Sequence, residues 1–168
     1  MPRLILLCGL PASGKSTYAE TFMKTAADHT LLLSSDALIE ALAAEEGLSY
    51  QEAYGLYAAR AQEEVLSMAD YAVAEGIDVV WDQTNLTPAQ RAERAAPFFD
   101  ADYEVIAVAF EAPQHVLKAR FEGRAAATGK TIPTDAMAKL AASYKRPDEN
   151  EGFDHVILIT PDGARTLF

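Results

Sequence analysis

Eight residues near the start of the chain, Gly9-Leu10-Pro11-Ala12-Ser13-Gly14-Lys15-Ser16, meet the pattern G-x-x-x-x-G-K-[ST] at every fixed position. Gly9 and Gly14 let the backbone wrap an oxyanion with no side chain in the way. Beyond Pro11, the backbone N–H groups of Ala12, Ser13 and Gly14 turn inward, and the helix entered by Ser16 and Thr17 presents its positive end. Lys15 places a charge against the β and γ phosphates. The Ser16 hydroxyl is suited to magnesium, which needs few protein ligands when phosphates supply the others. Gly9 and Pro11 to Thr17 are therefore the expected contacts of a nucleoside triphosphate carrying Mg2+.

Two acids fall where the loop's ligand would be. In an open parallel sheet, ligands bind beyond the carboxyl ends of the strands. Asp36 follows the apolar run Thr30–Ser34, and Asp82 follows Ile77–Trp81. A hydroxyl attacking phosphorus must lose a proton, and Asp36 is the candidate general base. Its alternative role is a helix N-cap, a position that aspartate favours. Asp82 is the expected partner of Ser16 in the magnesium shell, and a cap or turn residue otherwise. Gln83 stands where motor-type ATPases usually have a water-activating glutamate, and the chain has no Asn-Lys-x-Asp run to read guanine. Both features favour a kinase that uses ATP.

Arg120 and Arg124 are four apart near the end of a predicted helix and share a face. An arginine carried on a closing segment can stabilise charge on a transferring phosphoryl group and help exclude water. Residues 120–134 are read as such a lid, with Arg120 and Arg124 on the nucleotide and Arg124 also catalytic. Arg91 and Arg94 follow the Asp82 loop and, with Asn85, are the expected acceptor contacts. Lys145 and Arg146 are weaker candidates. The three histidines are far apart and none has metal-ligand spacing. Cys8, the single cysteine, reads as a small core residue and excludes an intramolecular disulfide.

The elements that must position these groups are legible as a pattern. Arg3–Cys8 is a continuous apolar run, as in a strand buried on both faces. A helix is predicted from Lys15 to about Ala27, and another from near Asp36 to Gly47. Ser49 and Glu52 form a capping box opening a helix that reaches Tyr71 or beyond and stops near Gly76. Thr87-Pro88-Ala89-Gln90 is a second helix start, with a helix to about Phe99. Tyr103–Phe110 and His155–Thr160 are the remaining strands, and Pro161-Asp162-Gly163 is a turn. Helices are predicted over Pro113–Gly123 and Thr134–Tyr144, with a mobile loop at Arg124–Pro133. Alternating strands and helices imply parallel strands joined by right-handed crossovers, an α/β fold in one domain.

The 168 residues suit one such domain. Arg3 and the run Leu4–Cys8 could pass for a signal segment, but the run is too short and leads into the phosphate loop. No apolar run is long enough to span a membrane. With 25 acidic and 14 basic residues, the net charge of −11 works against loose binding to polyanions or anionic membranes. A cytoplasmic protein without an obligate protein partner is expected.

Gly9–Thr17, Ser34-Ser35-Asp36 and Asp82-Gln83-Thr84-Asn85-Leu86-Thr87-Pro88, in that order, resemble the kinase domain of phage-type polynucleotide 5′-hydroxyl kinases and related bacterial P-loop kinases. The run from Arg120 through Arg124 to Gly129-Lys130-Thr131-Ile132-Pro133 is similar to the lid of that group. The resemblance implies a five-stranded parallel sheet of the adenylate-kinase style, with helices on both faces. It also implies ATP and Mg2+ at Lys15 and Ser16, Asp36 as base, and Arg124 as the lid arginine. One position departs: phage-type enzymes carry an arginine three residues after the base, and here it is Ile39, with no Arg or Lys between Lys24 and Arg60. The acceptor is thus either a nucleic-acid 5′-hydroxyl or a small nucleoside, sugar or antibiotic hydroxyl. An ATP-binding regulatory module with slow turnover is the third reading.

Overall fold

The computed structural model describes residues 1–26 and 29–167. The sheet has the order β2-β3-β1-β4-β5-β6. Its strands are β1 (Arg3–Gly9), β2 (Leu31–Leu33), β3 (Val79–Asp82), β4 (Glu104–Phe110), β5 (His155–Ile159) and β6 (Arg165–Leu167). The first five are mutually parallel, as the alternating pattern requires. The sixth was not expected. After the Pro161–Gly163 turn the chain reverses and β6 pairs antiparallel with β5. Three exposed residues carry no apolar alternation, so nothing in the sequence marks them as a strand.

β1 lies at the centre, and its continuous apolar run is explained by cover on both faces. Leu4, Leu6 and Cys8 pack with Val79 and Trp81 against one helical layer. That layer is α3 (Tyr50–Glu75) and α4 (Pro88–Asp100), which contribute Val65, Ala69, Ala95 and Phe98. Ile5 and Leu7 face the other way, toward Ala19, Tyr18 and Phe22 of α1 (Lys15–Met23). Helix α2 (Ser35–Glu46) leans on α3 through a third cluster of Ile39, Ala43, Ala53 and Ala61.

Both capping boxes form: Ser49 with Glu52 opens α3, and Thr87 with Gln90 opens α4 behind Pro88. Helix α1 is shorter than predicted, and Ala27 lies outside the described residues. The expected loop Arg124–Pro133 is a correction. Helix α5 (Gln114–Thr128) runs on through Ala125–Ala127, all strong helix formers, and ends only where Gly129 takes φ 70°. With α6 (Thr134–Ser143) it covers the carboxyl end of the sheet, and neither helix fully buries a residue. Among the described residues no helix is long and apolar enough to cross a membrane.

Candidate active site

The turn from β1 into α1 has the geometry its sequence demands. Gly9 has φ 150°, and a Cβ there would lie 2.7 Å from the Phe110 carbonyl oxygen. Ala12 and Gly14 also have positive φ, which bends the loop into a cup. Unlike α2, α3 and α4, α1 begins without a side-chain cap. Its first N–H groups are therefore left for an anion. The Lys15 ammonium donates to the Leu10 carbonyl at 2.9 Å, and burial pushes its pKa down to about 8 against the pull of Asp82. A cation held dry at the mouth of a cup of donors is primed for a polyphosphate.

Asp82 ends β3, the strand beside β1, and is 8% exposed. Burial raises its pKa, opposed by the Ser16 hydroxyl and by Lys15. Ser16 and Asp82 thus offer two adjacent hard oxygen donors. Among the described residues no group of three His, Cys, Asp or Glu side chains gathers into a metal cluster. The donor set fits Mg2+, which takes its other ligands from phosphate and water.

Asp36 is not an N-cap. Ser34 takes that place, its hydroxyl accepting from the Ala37 N–H. The Asp36 carboxylate is free to face the cavity, where it accepts from the Tyr50 hydroxyl at 2.7 Å and from the Lys130 ammonium at 2.9 Å. Burial alone would raise its pKa, but these two donors outweigh it and the carboxyl is held below its ordinary value. Burial and the carboxylate together push the Tyr50 hydroxyl far up, so it remains a donor. Lys130 also pairs with Glu40 at 2.6 Å and sits 4.1 Å from the centre of the Tyr50 ring. A second tie runs from the Gln51 amide to the Thr131 carbonyl at 2.9 Å. The segment after α5 is thereby fastened to α2 and α3.

Arg120 and Arg124, expected on a lid, both line the cavity. Arg120 donates to the Ser13 carbonyl of the phosphate loop at 3.2 Å. The Arg124 charge acts on Lys15 and on Asp36, and its buried Nε has no hydrogen-bond partner. The phosphate loop, Asp36, Asp82, Arg120 and Arg124 line one cavity of about 1340 Å3.

Two expected acceptor contacts are corrected. Arg91 is fully buried, donating to Glu151 at 2.6 and 2.8 Å and to the carbonyls of Asn85 and Lys145 at 3.0 and 2.9 Å. It bolts α4 to the segment that follows α6. Asn85 is also fully buried, donating to the Leu7 carbonyl at 2.7 Å. Its side-chain oxygen accepts from Arg94, which does line the cavity. Arg146 pairs with Glu111 at the surface. Lys130 and Tyr50 were not singled out from the sequence. No local pattern assigns them, since they meet Asp36 from separate elements.

The chain matches the family described as AAA domain over residues 4–147. It belongs to that family. The expected resemblance to P-loop kinases is borne out at the level of family and fold. This AAA-domain chain is 28% identical over 162 residues to the Arabidopsis thaliana protein named Transcription factor bHLH140, a match covering 95% of this chain and 16% of that protein's length. Among solved structures it is similar to a putative kinase from Chloroflexus aurantiacus, with 23% identity, 95% and 84% of the two chains covered and a TM-score of 0.68. It is also similar to a chain of the Pnkp1/Rnl/Hen1 RNA repair complex, at 24% identity, 84% and 43% coverage and a TM-score of 0.65. A third is the Mycobacterium tuberculosis APS kinase CysC, solved with AMPPNP and APS, at 21% identity, 97% and 90% coverage and a TM-score of 0.60. At these identities the likeness is one of fold: the P-loop nucleotide-binding fold with a mostly parallel sheet.

Proposed function

We propose that this chain transfers the γ-phosphoryl group of ATP to a hydroxyl of a small-molecule acceptor. The reading is carried by the convergence of Lys15, Asp36 and Arg124 on one cavity. The acceptor oxygen forms a bond to the γ-phosphorus as the bond to the β-phosphate oxygen breaks, ADP leaves, and the hydroxyl proton passes to Asp36. Such transfer needs positioning and charge stabilisation more than a strong base. A carboxylate held below its ordinary pKa by Tyr50 and Lys130 is thus adequate, and both donors fix its direction. Lys15 and Arg124 stabilise negative charge on the transferring oxygens. Ser16 and Asp82 would hold magnesium, which when bound supplies further charge neutralisation at the phosphates. Solved neighbours described as kinases, one of them with a bound ATP analogue, support the reading. The reading places the protein in the cytoplasm, where ATP and Mg2+ are at hand.

A small acceptor is favoured over a polynucleotide end by Ile39. It is 1% exposed and packs with Ala43, Ala53 and Ala61, so the position of the phage-type arginine is core here. The exposed side of α2 carries Glu45 and Glu46 beside Glu40, which Lys130 pairs, and α2 itself has no cation. A strand of phosphates would meet that face with repulsion.

The test is transfer from labelled ATP with Mg2+ to a panel of nucleosides, sugars and 5′-hydroxyl oligonucleotides. Small acceptors should be labelled. Lys15→Ala should abolish nucleotide binding, and Asp36→Asn should keep it while slowing transfer by about 10²–10⁴-fold. Normal transfer by Asp36→Asn would remove the base assignment, and label on oligonucleotides alone would remove the small acceptor.

A further inference from the structure

We infer that the acceptor carries one anionic group, a phosphate monoester or a carboxylate, and that Arg94 is the residue that binds it. This rests on the phosphotransferase reading above and names its substrate class. Arg94 is half-buried on α4 and lines the cavity, as do Gln83 and Thr84. A guanidinium has five donors in a planar fork that matches carboxylate or phosphate. Among the described residues, one acceptor engages that fork, the Asn85 side-chain oxygen, and no carboxylate pairs with it. Arg3, Arg91 and Arg146 each have a carboxylate partner, while Arg120 and Arg124 face the phosphate loop and its surroundings. In a chain with 25 acids and 14 bases, a half-buried cation without a counter-charge leaves its partner to come from outside.

The arginine is also held in place. Asn85, anchored on the Leu7 carbonyl, fixes one edge of the fork, and the Trp81 ring lies 5.8 Å from the guanidinium carbon. Trp81 in turn donates to Gln83 at 3.1 Å, and Gln83 donates to Ser35 and Gln62 at 2.9 and 2.8 Å. Burial draws the Arg94 pKa down, a cost that an anionic ligand would offset. The cavity that Arg94 lines also presents the neutral polar side chains of Ser35, Gln62, Gln83 and Thr84, alongside the acids Asp36 and Asp82. Hydroxyls and amides of this kind hydrogen-bond to the hydroxyls of a polyol. The surroundings therefore suit a small polyhydroxylated molecule with a single negative group.

The experiment compares wild type, Arg94→Gln and Arg94→Lys with labelled ATP and Mg2+. The acceptors are aldonic acids, hexose monophosphates, the matching neutral sugars and a 5′-hydroxyl oligonucleotide, and nucleotide affinity is measured separately. One anionic arm should show a KM at least about 10-fold below its neutral counterpart, and which arm does so distinguishes carboxylate from phosphate. Arg94→Gln should raise that KM by about 10- to 100-fold, the range for a hydrogen bond between charged groups, with nucleotide affinity unchanged. Arg94→Lys should recover part of the loss. Preference for neutral sugars or for the oligonucleotide, or an Arg94→Gln KM equal to wild type, overturns the anion anchor and leaves phosphoryl transfer standing. Nucleotide binding without transfer to any acceptor overturns both. The wild-type comparison decides even if a variant fails to fold.

Discussion

Replacing Arg91 by methionine separates a structural bolt from an acceptor contact. The guanidinium is fully buried and makes four hydrogen bonds, two to Glu151 and two to carbonyls. Methionine keeps much of the volume and removes every donor. Glu151, 14% exposed in its side chain, then loses its counter-charge, and two carbonyls lose a donor. Breaking a buried pair on one side costs about 3–5 kcal/mol, and the residual water access of Glu151 puts this case near ~3. An unfolding entropy of about 2.1 cal/mol/K per residue gives roughly 0.35 kcal/mol/K for a chain of this length. The Tm should therefore fall by about 8–9 °C, as read by scanning calorimetry or by circular dichroism at pH 7. At a temperature where the variant stays folded, its acceptor KM should match wild type within about twofold. Arg91→Met with Glu151→Met should restore much of the lost Tm, since no charge is then left unpaired. A single variant with unchanged Tm and an acceptor KM raised tenfold would refute this account and return Arg91 to the binding site.

Two predictions concern protons. Because the Lys15 pKa is pushed down to about 8 in the free protein and phosphates favour its charged form, nucleotide binding near pH 8.5 should take up protons. Affinity should also weaken as pH rises through about 8. Calorimetry in buffers of different ionisation heat measures the uptake, and none at that pH would refute the buried cation. Lys130→Met should raise the Asp36 pKa, moving the acid limb of kcat/KM to higher pH while the Gln51–Thr131 tie persists. The folded pKa is the lower one, so the stability contributed by Asp36 is present above the ordinary carboxylate value and lost as pH falls through the folded value. An acid limb that does not move would show that the lysine leaves Asp36 before the acceptor arrives.

What was legible in the sequence is what neighbouring residues decide among themselves. The phosphate loop is a local backbone shape, so Gly9, Gly14, Lys15 and Ser16 announce it within eight residues. The Ser49 and Thr87 caps are equally local and both form. Asp36 and Asp82 were legible because strand ends of a parallel sheet share one rim. Contacts between distant segments were not. Lys130 lies 94 residues from Asp36, and Glu151 lies 60 from Arg91. Arg91 did leave a trace: it is in register with Ala95 and Phe98 on the buried stripe of α4, but Arg94, three residues on and four before Phe98, falls at the edge of the same stripe. Two arginines three apart on one helix thus have opposite fates, and only packing decides which faces the core.

The Thr84–Asn85 dipeptide has a consequence for how such a site can change. The Thr84 carbonyl accepts from the Gly9 N–H at 2.9 Å, and Asn85 holds the Leu7 carbonyl. The start of the phosphate loop and the segment that holds Arg94 are stapled to each other by one main-chain bond and one Asn85 side-chain bond. The span between the phosphate loop and Arg94 is consequently set by these two bonds, and the cavity-lining side chains Gln62 and Arg94 can vary around it. New acceptors can be tried by single substitutions at Gln62 or Arg94 without recalibrating that span, whereas a change at Asn85 would disturb both substrates at once.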